Sequence, residues 1–289
     1  MVRRSDGFNP SVGPQKGADM MFDPSAYQGI GQFGRAYRAM FENDAHASAS
    51  VDRVLVERMV RLCTETAAYL YRNYTPTRVD YERSSRPELE THLAKALRGS
   101  HSAEERVAGV ARFCSDLASA ATDDLDAMRV GGAEEEIIRR GSDWCTDVAR
   151  VGCCLSQVAG LPARLVMLAD TRQAYSGHVI IEVRRRGRWG AVDVTTNVIY
   201  LDPDGKPAST WELMKSPELI LSHRRGDSTC YTTVGQFRAA AISNYFVRDR
   251  GNYDYTTSPL NAYCRSILEM SKRSWPGGLR WLHREDAIF

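Results

Sequence analysis

No stretch of this 289-residue chain approaches the ~18 consecutive apolar residues that a membrane-spanning helix requires, so no membrane segment is expected. CxxC, HExxH, P-loop and GxGxxG patterns are missing too, and with them any motif basis for a metal, nucleotide or flavin cofactor. Excess charge of either sign is also lacking. Lys plus Arg number 38 against 36 Asp plus Glu, and the net charge of +2 is too small to make nucleic acid or an anionic membrane an obligatory partner. The basic run at 184–188 reads as an exposed hairpin tip. Seven cysteines are an odd number without disulfide-like spacing, and the chain does not open on a basic patch followed by an apolar stretch. The expectation is a soluble cytoplasmic protein with reduced thiols.

What is present suits an ordinary globular protein: 43% hydrophobic and 26% charged residues, in a chain long enough for one large domain. Residues 1–25 are polar and read as a mobile tail. Residues 26–289 read as a single domain, with a core at about 102–216 between helical flanks at 26–101 and 217–289. A short helix is expected over 27–43. A longer one is expected over 50–74, with Met59, Leu62, Cys63 and Leu70 on its apolar side and Pro76 ending it. Helices over 86–98 and 103–121 follow, and Gly131-Gly132 breaks the chain before a short helix anchored by Ile137 and Ile138. Near the end, 233–247 and 258–272 read as helices. Tyr245, Phe246, Tyr253, Tyr255, Trp275 and Trp281 read as core or interface aromatics, with a substrate groove as the alternative.

Chemistry concentrates between Asp143 and Asp193. Cys145, Val148, Ala149, Gly152, Leu155 and Ala159 recur at the spacing of a helix with one buried face, which Gly160 and Pro162 stop. Ser142 and Asp143 are good N-cap types, so Cys145 falls in the first turn. There unpaired N–H groups and the helix dipole favour an anion and activate a thiol; a buried structural cysteine is the plainer reading. Residues 163–168 read as a strand and 178–193 as a hairpin turning on Arg186-Gly187. That register sets Ile180 opposite Asp193 and puts His178 and Asp193 within hydrogen-bond reach on one face, with Val179, Ile181 and Val183 on the other. A one-residue slip would send Asp193 to the wrong side. Zinc binding by Cys145, Cys153 and Cys154 is ruled out on a helix, because Cys153 lies ~12 Å along the axis from Cys145 and Cys154 points ~100° away from Cys153. Both therefore read as packing residues. The segment "DPDGK" reads as a turn, since a calcium loop would need more oxygen ligands than it offers. "STWELMKS" reads as a capped short helix.

The order of these motifs, "GSDWCTDVARVGCCLSQVAGLPARLV", "GHVIIEV" and "GRWGAVDV", resembles the core of the transglutaminase-like superfamily of papain-type thiol enzymes over residues 102–216. In that family the nucleophile opens a helix ending in a GIPAR-type turn, here Gly160-Leu161-Pro162-Ala163-Arg164. A histidine opens a strand ending in Glu-Val, and an aspartate follows a tryptophan on the partner strand, as Asp193 follows Trp189. The resemblance implies an α+β fold with the catalytic helix packed on an antiparallel sheet and extra N- and C-terminal helices. It also implies Cys145, His178 and Asp193 as catalytic residues and the Cys145 backbone N–H as an oxyanion donor. Trp144 and Asp143 stand beside the nucleophile, Asp143 where the family often has glycine. Arg164 and Glu182 are implied as supports, Glu182 pairing with a cation beneath the site.

The expected activity is amide or peptide hydrolysis through an acyl-enzyme, on a peptide, protein or small amide or acyl substrate, with no cofactor or metal. Acyl transfer to an amine, as in a transglutaminase or an amide-forming biosynthetic enzyme, would use the same residues. A non-catalytic binding module on the same fold is the third reading.

Overall fold

The computed structural model describes residues 59–119, 131–142, 144–169, 177–223 and 234–249. The fold is a mixed α+β arrangement in which helices cover both faces of an antiparallel sheet of order β1-β6-β2-β3-β4-β5. The strands are β1 (Met59–Leu62), β2 (Ala163–Ala169), β3 (Gly177–Arg185), β4 (Arg188–Asp193), β5 (Val198–Ile199) and β6 (Ala239–Ser243). The helices are α1 (Thr64–Tyr69), α2 (Pro87–Ala96), α3 (Ala103–Ser119), α4 (Glu134–Arg140), α5 (Cys145–Val158), α6 (Thr210–Lys215) and α7 (Pro217–Leu221).

Two cores flank the sheet. Val179, Ile181, Val183, Leu165, Met167 and Ala241 pack with the buried faces of α2, α3 and α5. Ile180, Val166, Leu168, Ala240 and Ile242 pack on the other side with Ala67, Leu70, Leu213 and Ile220. Strand alternation sends successive side chains to opposite cores, which is why β2 and β3 read as unbroken apolar runs.

Helix α5 is sandwiched so tightly that every residue from Cys145 to Gln157 is buried. Gly152 permits this approach: a Cβ there would lie 3.0 Å from Val194 Cγ1. The polar residues this burial traps are bonded, as buried polar groups must be. Arg150 reaches Glu134 at 2.7 Å and the Tyr245 hydroxyl at 3.0 Å. Gln157 donates to the carbonyls of Ala163 and Tyr245 and accepts the N–H of Val247. Tyr245 is therefore core, and Cys153 and Cys154 are packing residues, fully buried with thiol pKa values pushed up by burial.

On the opposite face Arg164 and Glu182, cross-strand partners, form a buried ion pair at 2.6 Å. The guanidinium lies 4.2 Å from the Trp189 ring centroid and 4.8 Å from that of Tyr71. The second carboxylate oxygen of Glu182 accepts from the Tyr71 hydroxyl and the Thr210 N–H. This joins β2, β3, β4, α6 and the π-helical turn Leu70–Tyr74.

Two expected helices are corrected. Met59–Leu62 is a strand rather than part of a helix over 50–74, and helix begins only at Thr64; Cys63 caps it and is half-buried instead of core. The expected helix over 233–247 is instead a 3₁₀ turn, Val234–Arg238, followed by β6. "AAAIS" has helical composition, but it lies between β1 and β2 and bonds to both, so tertiary pairing overrides local propensity. The sheet thus takes a strand from each flank of the expected 102–216 core. The readings at 1–25, 27–43 and 258–272, and those of Tyr253, Tyr255, Trp275 and Trp281, fall outside the described residues.

Truncating Glu182 to Ala leaves Arg164 buried without its counter-charge, and unfolding in urea is expected to show a loss of about 3–5 kcal/mol. A loss below about 1 kcal/mol would mean that the pair does not tie the sheet to its covering layer.

Candidate active site

Helix α4 ends at Gly141, whose φ of 77° and ψ of 158° belong to a region essentially open only to glycine. That turn redirects the chain into α5. Trp144 is the N-cap, with extended backbone, and Cys145 is the first helical residue. The cap was expected at Ser142 or Asp143. Ser142 lies two residues too early and accepts the Trp144 N–H through its hydroxyl at 3.2 Å, while Asp143 falls outside the described residues. Cys145 still stands where intended, in the first turn, where helical geometry gives its N–H no partner four residues back. Its side chain and that of Trp144 are buried.

The hairpin turns on Arg186-Gly187, both with positive φ, as a type I′ turn demands. Its register pairs Arg185 with Arg188 and Ile181 with Val192, which keeps Asp193 on the face that alternation required, although the ladder ends before the expected Ile180–Asp193 pair. His178, second in β3, and Asp193, last in β4, consequently lie together at the end of the hairpin away from the turn. Nε2 of His178 and Oδ2 of Asp193 are 3.0 Å apart, the nitrogen donating because an ionised carboxylate can only accept. Both residues are buried. The other oxygen, Oδ1, accepts the N–H groups of Thr195 at 3.1 Å and Thr196 at 3.3 Å, so the carboxylate is clamped by the turn that follows it.

Cys145 is among the groups whose hydrogen bonding and charge act on the imidazole. Val179, Ile181 and Val183 lie on the face opposite His178 and Asp193, as alternation requires. They form the floor on which α5 rests. Cys145 therefore lies on one side of the sheet and the face of β3 that carries His178 on the other.

Burial alone would drive protons off His178, because a charged imidazole is disfavoured away from water. The charge of Asp193 and its hydrogen bond, followed by the hydrogen bond and charge of Cys145, outweigh that effect and raise the pKa to about 10. The site thus favours an imidazolium beside a fixed carboxylate.

Reasoning from sequence missed the Thr195 and Thr196 donors and the role of Ser142; a hydroxyl and an acid bracketing "DWCT" was the available signal. Among the described residues no group of three or more His, Cys, Asp or Glu side chains is placed to hold a metal. The Asp202 carboxylate instead closes its turn by accepting the N–H groups of Asp204 and Lys206. No helix among the described residues is long and apolar enough to cross a membrane. Comparison with family models, curated proteins and solved structures finds no match to this chain.

A raised His178 pKa stabilises the fold fully below its unfolded value, ~6.5, and that contribution fades as pH rises toward the folded value of about 10. Urea unfolding across pH 6 to 10 is accordingly expected to show wild-type stability falling with pH, and Asp193→Asn falling much less. Parallel profiles would show that Asp193 does not hold the imidazole charge.

Proposed function

We propose that the protein is a thiol-dependent amide or peptide hydrolase that works through an acyl-enzyme, with Cys145 as nucleophile, His178 as acid and base and Asp193 as the group that orients and charges the imidazole. The observation that carries this reading is the buried His178–Asp193 pair at 3.0 Å, and the residue that opens α5, Cys145, supports it as one of the groups that raise the imidazole pKa. In this reading the α+β architecture is a transglutaminase-like, papain-type core and the protein works in the reducing cytoplasm, a reading that free thiols support.

The chemistry proceeds from an ion pair. The Cys145 thiolate attacks the carbonyl carbon, and the electron pair moves onto the carbonyl oxygen, where the Cys145 N–H at the helix N-terminus stabilises the negative charge. The His178 imidazolium gives its proton to the leaving amine as the C–N bond breaks, leaving a thioester and a neutral imidazole. His178 then takes a proton from the incoming water, whose oxygen attacks the thioester; the acid departs, and thiolate and imidazolium are restored. Asp193 keeps its negative charge throughout.

Acyl transfer to an amine is the second reading, and one observation favours it. Cys145 is 0% exposed, so a thioester formed there is shielded from bulk water. Partition of a preformed acyl-enzyme between water and added amines separates the two.

Treatment with an activated acyl ester, followed by peptide mass mapping, is expected to place one acyl group on Cys145 and none on Cys153 or Cys154. Cys145→Ser should abolish labelling, and His178→Ala should slow it by about 10²- to 10⁴-fold. Labelling spread over several thiols, or indifferent to His178→Ala, would instead favour a non-catalytic module.

A further inference from the structure

The backbone entering α5 is held by a relay that the reaction as written does not use. In a capping box the side chain three positions into a helix reaches back to the N-cap N–H. Here that position is Asp147, and Ser142 stands between it and the N-cap. The Trp144 N–H donates to Ser142 Oγ at 3.2 Å, and Ser142 Oγ donates to Asp147 Oδ2 at 3.4 Å. The hydroxyl uses its lone pair for one partner and its proton for the other.

Asp147 is itself held on several sides. It accepts the Gly131 N–H at 2.9 Å and Arg140 Nη2 at 2.9 Å, and Arg150 Nη1 stands 3.6 Å from its other oxygen. Arg140 Nη2 also donates to the Gly131 carbonyl at 2.6 Å. Ser142 and Asp147 are both buried, so these bonds are not exchanged for water. The carboxylate is thereby joined to both ends of α4 and to the first turn of α5.

We propose that Asp147, acting through Ser142, is a positioning residue for the oxyanion site: the relay holds the peptide before Trp144 through its N–H, while the Trp144 carbonyl, in one plane with the Cys145 N–H, accepts the Val148 N–H at 3.0 Å, and together they aim the Cys145 N–H at the developing oxyanion. The inference rests on the acyl-enzyme reading above and deepens it. The side chains of Ser142 and Asp147 bond to Trp144, Gly131, Arg140 and Arg150 rather than to the Cys145 sulfur or His178, so their loss disturbs the hydrogen-bond donor and leaves the nucleophile intact.

Two reagents separate these roles. Iodoacetamide alkylates a thiolate by displacement at a saturated carbon and forms no oxyanion; p-nitrophenyl acetate acylates the same sulfur through a tetrahedral oxyanion. In Asp147→Asn and Ser142→Ala, acylation of Cys145 should fall by about tenfold to a hundredfold. Alkylation and its pH dependence should stay at the wild-type level, and Ser142→Thr, which keeps the hydroxyl, should recover most of the acylation rate. Ser142→Ala removes a single hydroxyl and keeps the test available if Asp147→Asn does not fold. Equal loss of both reactions would overturn the proposal, because the relay would then be supporting the thiol or the fold. Unchanged acylation in Ser142→Ala would overturn it as well. Failure of the wild type to acylate at Cys145 while still alkylating there would instead strike the hydrolase reading, and this inference with it.

Discussion

The hydrogen-bonded pair between His178 and Asp193 is the constraint to which the rest of the structure is fitted. An imidazolium and a carboxylate away from water are tolerable only in close contact and with their remaining hydrogen-bonding capacity used. Asp193 meets that condition through the Thr195 and Thr196 N–H groups, and Cys145 adds to the effect that keeps His178 charged. The pair in turn depends on the hairpin register, which the positive φ angles of Arg186 and Gly187 set at the far end of the strands. A slip of one residue would move Asp193 to the α5 side and separate it from His178.

Bringing a cysteine to that pair required a helix buried on all sides, and the polar anchors follow from that requirement. Arg150, Gln157 and Asp147 would each be costly inside α5 if left unbonded. Each instead ties the helix to a neighbouring segment: Arg150 to α4 and Tyr245, Gln157 to β2 and the chain after β6, Asp147 to Gly131 and Arg140. Arg86, from the start of α2, adds buried ion pairs to Glu134 and Glu135. The helix is consequently fixed in direction as well as depth, and its first N–H group has a defined orientation.

Much of this was legible in residue order, for identifiable reasons. The hairpin and the His178–Asp193 contact followed from strand alternation and a turn of recognisable chemistry. Helix α5 followed from its apolar spacing and its Gly-Pro stop. What escaped depended on contacts distant in sequence. β6 is alanine-rich and forms a strand only because β1 and β2 flank it. β1 lay inside a run whose periodicity suited a helix. The helix cap was misplaced because the side-chain capping pattern is displaced by two residues and works through Ser142. The side of the sheet from which Cys145 approaches depends on how α5 lies on it, which no local pattern encodes.

The central claim is that a charged imidazole stands beside Asp193 near neutral pH. Nitrogen NMR of the His178 ring reads that state directly, since imidazolium and the two neutral tautomers have distinct shifts. The account predicts two protonated ring nitrogens at neutral pH, with the charge lost only as pH approaches about 10, and a lower titration point once Cys145 is replaced by Ala. A neutral His178 ring at pH 7, titrating near the ordinary histidine value of ~6.5 and unmoved by that replacement, would contradict it.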